Sequence, residues 1–286
     1  MANLKEIRNR IASVSSTMQI TSAMKMVSAA KLKKAQDAIT AMRPYSDKLT
    51  ELIKNLSGSI SGDTPNPYTQ ERPIKKTLVV AITSNRGLCG GFNSNIIKAV
   101  IQYVNDHTNE KVLVMTLGKK GDDVLAKTQT VVANNNNIFD DLSFTKSGDI
   151  AQGFMDSFAA KEYDKVVVLY NRFKNAATQI VTIETLLPII AKKTEIDTSS
   201  IDYIFEPTQE EIVSQLLPKS IKMQLFKALR DSFASEHGAR MTAMHKATDN
   251  ATEMRDQLKL TYNKARQASI TNEILEIVGG AEALNN

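Results

Sequence analysis

The sequence lacks several features that define common classes of protein. It contains one cysteine and no tryptophan among 286 residues. A single cysteine excludes an internal disulfide and every structural zinc site that needs two or more thiolates. No apolar run reaches the ~18–20 residues that a membrane-spanning helix requires, and the N-terminus has no apolar signal-peptide core. The chain is therefore expected to fold in the cytoplasm, under reducing conditions.

The chain also has few aromatic residues, and acidic residues are scarce in its N-terminal segment. Only 6% of the residues are aromatic, although 42% are hydrophobic, so a core is expected to be built from Val, Ile, Leu, Met and Ala. Residues 1–57 contain ten Lys and Arg but four Asp and Glu, whereas the remaining chain is nearly balanced. Such a basic segment indicates a solvated or protein-facing helix, or nucleic-acid binding. Because Tyr45 is its single aromatic residue, base stacking is disfavoured and the first interpretation is preferred.

Glycine and proline are rare at both ends of the chain and frequent between them. Residues 1–57 hold no Gly and one Pro, and residues 219–278 hold no Pro and one Gly. We predict an N-terminal coiled-coil helix at 1–57 and a C-terminal one within 208–286 that stops at Gly279 and Gly280. Residues 58–73, with two Gly and three Pro, are predicted as a linker. A globular domain is expected at 74–207.

Both predicted helices show the apolar spacing of a coiled coil. Steps of three and four residues join a first set on the N-terminal helix, Leu4, Ile7, Ile11, Val14 and Met18. Polar Thr21 and Lys25 come next, so the stripe is expected to shift. The shifted set is predicted to be Ile20, Met24 and Val27. The matching C-terminal stripe is predicted to include Met244, Ala251, Met254, Leu258, Ala265, Ile270, Ile274 and Ile277.

The middle of the chain alternates between apolar runs and helical stretches. KKTLVVAITS and KVLVMTLG are predicted strands, each followed by a helix, and DKVVVLYNRF and TQIVTIETLLPI are two more strands around the turn KNAA. This order predicts an open sheet, parallel or mixed, with helices on its faces. The predicted fold is α/β, in which the terminal helices form a long antiparallel two-helix coiled coil and a Rossmann-like sheet domain is inserted between them.

A glycine-rich loop, RGLCGGFN, follows the first predicted strand. It contains Arg86, Gly87, Gly90 and Gly91. Loops at this position often bind phosphate at a helix N-terminus, but the sequence matches neither GxxxxGK[ST] nor GxGxxG. We interpret it as a tight turn or a partner contact. Cys89 has no histidine close by in sequence, which favours an inert thiol over a nucleophile.

No group of residues indicates catalysis, a metal or a cofactor. His237 and His245 are eight residues apart, too far along one helix to bind a metal ion together. Composition and spacing alone therefore indicate an interaction or mechanical part. A cytoplasmic scaffold or nucleic-acid tether, and an α/β enzyme with helical arms, remain as alternatives.

Three segments resemble one known family. The chain is similar to the gamma subunit of bacterial F-type ATP synthases, collinearly from Asn3 to Leu284. The segments that carry the resemblance are LKEIRNRIASVSSTMQITSAMKMVSAAKLKKAQ, SNRGLCGGFN, and SEHGARMTAMHKATDNA with YNKARQASITNEILEIVGGAEAL. The resemblance implies a non-catalytic rotor shaft without a cofactor. It would turn inside a ring of three alpha and three beta subunits and couple proton flow through the c ring to ATP synthesis or hydrolysis.

The resemblance also implies partners and a location. One copy would contact alpha, beta, epsilon and the c ring, with no nucleic acid and no membrane span of its own. It would be a peripheral protein on the cytoplasmic side of the inner membrane. The chain lacks the cysteine pair of chloroplast relatives and the transit peptide of mitochondrial ones, so a bacterial protein without thiol regulation is expected.

The resemblance assigns roles to eight residues. Met24 and Lys25 match the segment that meets an acidic loop of beta, although Lys25 is basic where some relatives are acidic. Arg240 lies in the GARM segment that is associated with coupling. The residues that match contacts with the catch loop of beta are Arg266, Gln267 and Thr271. The residues that match the region over the c ring and epsilon are Tyr203 and Glu206.

Overall fold

The computed structural model describes residues 4–60, 67–70, 72–189, 206 and 208–284. Two long helices, α1 (Leu4–Ile60) and α5 (Gln209–Leu284), lie on either side of a sheet domain in sequence. The chain divides into two compact units, one formed by Met1–Ser28 with Met241–Asn286 and the other by Ala29–Arg240. Each long helix therefore contributes to both units.

The second unit contains a five-stranded mixed sheet. Its strands are β1 (Lys76–Ile82), β2 (Lys111–Leu117), β3 (Val131–Asn135), β4 (Lys165–Phe173) and β5 (Gln179–Leu187). The spatial order is β3-β2-β1-β4-β5, with β5 antiparallel to β4 and the other pairs parallel. The shorter helices are α2 (Phe92–Asp106), α3 (Lys119–Thr128) and α4 (Phe144–Ala159), with a 3₁₀ helix at Asn137–Phe139. The predicted α/β fold is confirmed.

Helices cover both faces of the sheet, which explains why its central strand is apolar from Leu78 to Ile82. Alternate side chains of β1 enter different cores, because successive residues of a strand point to opposite faces. Leu78 and Val80 join a core with residues of α4 and α5, including Phe158 and Leu225. Val79 enters a second core formed with α2 and α3. The apolar run that predicts β1 is thus typical of a strand buried on both sides.

Strand β3 was missed by the sequence analysis. It forms the edge of the sheet, pairs with β2 alone and is largely exposed. Its sequence, VVANN, carries Asn residues that are depleted in strands. Pairing with β2 supplies the hydrogen bonds that make this segment a strand, and that pairing leaves little trace in the local pattern.

In the first unit α1 and α5 pair in antiparallel fashion. Arg8 Nη2 donates to Tyr262 Oη at 2.8 Å, and the hydroxyls of Thr21 and Thr248 are 2.8 Å apart. The partner number on α5 therefore falls as the number on α1 rises.

The predicted shift of the stripe on α1 is wrong. Thr21 is 9% exposed and Ser28 is 3% exposed, while Ile20 is 60% exposed and Val27 57%. The steps of three and four residues continue unbroken through the polar positions. Their small hydroxyls are satisfied by Thr248 and by the Met24 carbonyl, so they can be buried at this contact.

Two predictions about the C-terminal helix are also corrected. α5 does not stop at Gly279 and Gly280 but continues to Leu284. A glycine lowers helix propensity by only about 1 kcal/mol, and neither glycine adopts the positive φ of a helix cap. Several residues of the predicted stripe are exposed: Met254, Ile270, Ile274 and Ile277.

The boundaries predicted from Gly and Pro remain predictions. The observed helices pass through Pro44 and Pro218. α5 begins nine residues before Pro218, where the Thr208 hydroxyl accepts a hydrogen bond from the Glu211 backbone N–H at 3.3 Å. This is the bond that an N-cap residue makes.

Candidate functional site

The glycine-rich loop joins β1 to α2 and is closed by its own polar side chains. Ser84 lies two residues after the end of β1, and its backbone N–H donates to Asn93 Oδ1 at 2.9 Å. The Ser84 hydroxyl donates to the Arg86 carbonyl at 2.7 Å. Because Asn93 lies in the first turn of α2, these bonds hold both ends of the loop together.

Backbone conformation explains only part of the glycine pattern. Gly90 has φ +59°, a value that side chains disfavour. Leu88 adopts φ +62° and exposes its side chain at the tip of the loop. Gly87 has no positive φ and open space around it, whereas Gly91 forms the N-cap of α2. The loop is therefore a tight turn, in which glycine suits the positive φ of Gly90 and the backbone strain lies at Leu88.

Arg240 of α5 binds this loop. Its Nη2 donates to the carbonyls of Arg86 at 3.1 Å and Gly87 at 3.4 Å. Its Nη1 donates to Glu236 Oε1 at 2.7 Å, one helical turn earlier. The structure thus brings together predicted residues that are more than 150 positions apart in sequence.

The pair of Arg240 and Glu236 is buried, with each residue 7% exposed. Burial raises the pKa of Glu236, and the Arg240 charge opposes that rise. The neighbouring His237 is also buried, and neither of its ring nitrogens has a hydrogen-bond partner among the described residues. Burial, with the charges of Arg240 and Lys31, lowers the pKa of His237 to about 4. This imidazole is therefore neutral at physiological pH.

Cys89 packs into the same junction as an inert thiol. It is buried with Phe92 and Ala239, so the loop is held against α5 by apolar contact as well. Burial raises the pKa of the Cys89 thiol, and a protonated thiol is a poor nucleophile. No metal-binding group of three His, Cys, Asp or Glu side chains occurs among the described residues.

Met24 and Lys25 lie in the first unit, at the contact between α1 and α5. Both are half-buried. Lys25 Nζ is 3.5 Å from His245 Nδ1, which is itself 3.3 Å from Asp249 Oδ2. The Lys25 ammonium thus already contacts the partner helix, and Met24 lies beside it.

The other predicted residues lie elsewhere. Arg266, Gln267 and Thr271 are exposed, and the Thr271 hydroxyl donates to the Gln267 carbonyl at 2.9 Å. At about 1.5 Å per residue they lie roughly 30–40 Å along α5 from His245, which contacts Lys25. Glu206 is exposed. Tyr203 lies outside the described residues.

Comparison with known proteins shows the family of this chain. The ATP synthase family model matches residues 3–284. The ATP synthase gamma chain of Flavobacterium psychrophilum is 68% identical over 284 residues, which cover 99% of each chain. The chain belongs to the ATP synthase gamma chain family.

Two solved structures of mitochondrial ATP synthases contain chains with a similar fold. A chain from the central stalk and c-ring structure of the Tetrahymena thermophila mitochondrial ATP synthase is 27% identical. Its TM-score is 0.59, over 80% of this chain and 99% of that one. A chain of the Euglena gracilis mitochondrial ATP synthase, solved as OSCP/F1/c-ring, is 24% identical with a TM-score of 0.73, over 98% and 94% of the two chains. The fold thus persists at low sequence identity.

Sequence reasoning missed two members of the junction, Glu236 and His237, as partners of the loop. One indication was available, since Glu236 and Arg240 are four residues apart and such pairs face each other on a helix. Their burial, however, comes from the loop that packs on them, and local spacing carries no information about that contact.

Proposed function

We propose that this chain is the central rotor shaft of the F1 sector of a proton-translocating ATP synthase. It couples proton flow through the c ring to ATP synthesis or hydrolysis by turning inside the ring of three alpha and three beta subunits. The observation that carries the proposal is family membership over nearly the whole chain. A pair of antiparallel helices, one of which continues beyond the other, supports it.

The coiled coil supplies an element that can transmit torque. Two helices joined along their length resist bending better than one, and hydrogen bonds across the pair fix their register. In the first unit these bonds join Thr21 to Thr248 and Arg8 to Tyr262. Polar groups buried at such a contact specify one register of pairing. A fixed register keeps the two helices from sliding past each other under load.

The end of α5 supplies a surface for the ring. Beyond Ala265, this helix carries five exposed aliphatic side chains: Ile270, Ile274, Leu275, Ile277 and Val278. A contiguous exposed apolar surface indicates a protein contact. We assign it to the interior of the alpha and beta ring, where it would serve as the bearing.

The coupling contacts follow from this placement. Met24 and Lys25 would face an acidic loop of beta, and Arg266, Gln267 and Thr271 would bind the catch loop through side chains that are exposed in the chain alone. Glu206 is proposed, with Tyr203, to lie over the c ring and epsilon.

Arg240 is proposed to act differently from these contacts. It is buried and holds the glycine-rich loop to α5, so it would affect coupling by fixing that loop on the shaft. Leu88 at the loop tip is exposed and available to a partner.

We infer a non-catalytic role on the cytoplasmic face of the inner membrane. No helix in the described part of the chain has the length and hydropathy to cross a bilayer. Protein contacts with epsilon and the c ring would therefore hold the subunit there. ATP chemistry would take place in the beta subunits.

Subunit stoichiometry tests this proposal. The complex that contains this chain would be purified from detergent-solubilised membranes and its native mass measured. One copy together with three copies each of two ATP-binding chains is expected. Recovery as a homo-oligomer, or with nucleic acid, would refute the rotor assignment and favour the scaffold or tether.

Met24→Lys tests the contact with beta. It adds a cation beside Lys25 at the proposed sliding surface, so coupling should suffer more than assembly. We expect less proton pumping per ATP hydrolysed in membrane vesicles, with unchanged subunit content. Ala23→Lys adds the same charge at an exposed neighbouring position and is the control. Equal pumping ratios in Met24→Lys and wild type would contradict this role of Met24.

A further inference from the structure

A cleft of about 480 Å³ lies within the Ala29–Arg240 unit, away from the glycine-rich loop. Its walls come from α1, the β4–β5 hairpin and α5. Its volume falls within the ~300–1,000 Å³ that is typical of small-molecule sites. Four cationic side chains line it: Arg43, Arg172, Lys174 and Lys227.

Asp231 is the single carboxyl among the lining residues, and it attracts three of these cations, Lys227, Arg43 and Arg172. None of the four forms a hydrogen bond or an ion pair through its side chain with a described residue. Like charges brought together repel each other, so the grouping costs free energy unless an anion offsets it. Four cations against one carboxyl leave the lining with a net positive charge, and such a cleft concentrates anions.

Asp231 provides a second, independent observation. This carboxyl also lines the cleft, is 6% exposed, and forms no hydrogen bond or ion pair with a described residue. The charges that face it are Lys227 on α5, Arg43 on α1, Arg172 on β4 and Glu184 on β5. Its oxygens are not among the fully buried side-chain atoms, so they reach the cleft and are available to a ligand there.

The ligand must satisfy both features. Cations alone would suit any anion, but the carboxyl would repel one unless it carries a proton. Burial raises the pKa of Asp231 to about 6, so its protonated form is accessible near neutral pH, and a bound anion stabilises that form further. A protonated carboxyl donates one hydrogen bond. Phosphate oxygens accept such a bond and pair well with Arg and Lys.

We propose that this cleft binds a small phosphate-bearing anion, which the four cations hold and to which the Asp231 carboxyl donates a hydrogen bond. Binding then takes up one proton from solvent, which goes to Asp231. The site is separate from the contacts proposed for the rotor and does not depend on that function.

The uptake of a proton on binding determines how the dissociation constant depends on pH. Above the pKa of the empty site, the dissociation constant should fall by up to tenfold for each unit by which the pH is lowered. Sulfate is the probe for this step, because it stays a dianion between pH 6 and 8 and its own titration adds nothing. Inorganic phosphate and ATP without magnesium then distinguish a free phosphate from a nucleotide.

The experiment is calorimetric titration of the full-length chain at constant ionic strength. We expect saturable binding of sulfate and a tenfold or greater loss in the variant Arg172→Gln/Lys174→Gln. The control, Lys98→Gln/Lys127→Gln, removes the same charge from exposed positions outside the cleft and should bind as wild type. Asp231→Asn keeps a hydrogen-bond donor but cannot titrate, so its affinity should not vary with pH and should exceed that of wild type at pH 8.

Several outcomes would overturn the proposal. These are the absence of saturable binding for all three probes, an equal loss in the control variant, and an unchanged pH dependence in Asp231→Asn. Binding of an acidic peptide without binding of any phosphate probe would also overturn it, since the cleft would then be a protein-docking surface. Circular dichroism of each variant verifies that the chain is folded.

Discussion

Replacement of Arg240 by Met tests the buried ion pair at the junction between loop and helix. The change keeps most of the side-chain volume but leaves Glu236 buried without a counter-charge. Loss of one partner of a buried pair costs about 3–5 kcal/mol. The carbonyls of Arg86 and Gly87 also lose a donor, which adds about 1 kcal/mol or more where water cannot replace it. We expect the free energy of unfolding to fall by at least ~3 kcal/mol.

A double-mutant cycle separates the pair from its surroundings. Glu236→Gln removes the carboxylate and leaves the guanidinium, whereas Glu236→Gln/Arg240→Met removes both charges. Because the double variant buries no unpaired charge, it should be clearly more stable than the sum of the single changes implies. A coupling free energy of about 2 kcal/mol or more is expected.

The pH dependence of the Arg240→Met effect has a definite sign. Arg240 opposes the rise in the pKa of Glu236 that burial causes. Without Arg240 that pKa is higher still, and a folded-state pKa above the unfolded value gives stability that is lost as pH rises. Arg240→Met should therefore destabilise strongly at pH 8 and less at pH 5.

Urea unfolding followed by circular dichroism measures these effects. The control is Lys146→Met, which breaks the exposed pair of Lys146 and Asp141, with N···O 2.8 Å. An exposed pair contributes at most about 1 kcal/mol. If Arg240→Met costs no more than this control, or if the cycle is additive, the ion pair is not what stabilises the junction.

Three further predictions concern stability. As pH falls from 6.5 to 4, the free energy of unfolding of wild type should fall by about 3 kcal/mol relative to that of His237→Leu. The reason is that the folded-state pKa of His237 lies near 4, so the unfolded chain binds more protons over this range. Equal unfolding profiles across this range would exclude a buried neutral imidazole. Asp231→Asn should stabilise the chain by about 3 kcal/mol at pH 8 and little near pH 4. Burial raises the pKa of Asp231 to about 6, so ionisation of this carboxyl at pH 8 destabilises the folded chain. Thermal melts at the two pH values measure the difference, and a gain in stability that does not depend on pH would contradict this reasoning. Gly118→Ala should destabilise by about 2 kcal/mol or more, because Gly118 has φ +115° and a Cβ would lie 2.2 Å from the Thr83 carbonyl oxygen. Gly153→Ala, in α4 with open space around it, is the control and should be neutral or stabilising by up to about 1 kcal/mol; similar losses in both variants would contradict the steric argument.

The sheet domain shows which elements could be predicted from sequence. β1, β2, β4 and β5 are apolar runs with enriched β-branched residues, and each was found. β3 was not, because an exposed edge strand needs little apolar surface and depends on pairing with β2. Local pattern therefore recovered the strands with strongly apolar sequences and missed the one whose existence depends mainly on its neighbour.

The coiled coil shows a different limit. Apolar residues at Ile20 and Val27 suggested a shifted stripe, yet these side chains are exposed and Thr21 is buried. The spacing of three and four residues predicted the buried positions of α1 correctly, whereas the polarity of the residues did not. A hydroxyl that finds a partner on the opposite helix can be buried at little cost, and that partner, Thr248, is 227 positions away.

Length, spacing and motifs sufficed by themselves for the order of the four apolar strands, the α/β class, the paired terminal helices and the family. Each of these depends on patterns within short stretches of chain. Tertiary structure alone decided which polar side chains are buried together. Arg240 meets the loop at Arg86, and the cationic cleft gathers Arg43, Arg172 and Asp231 from three separate elements. Burial and electrostatic energy depend on distance in space, and packing sets that distance independently of separation along the chain.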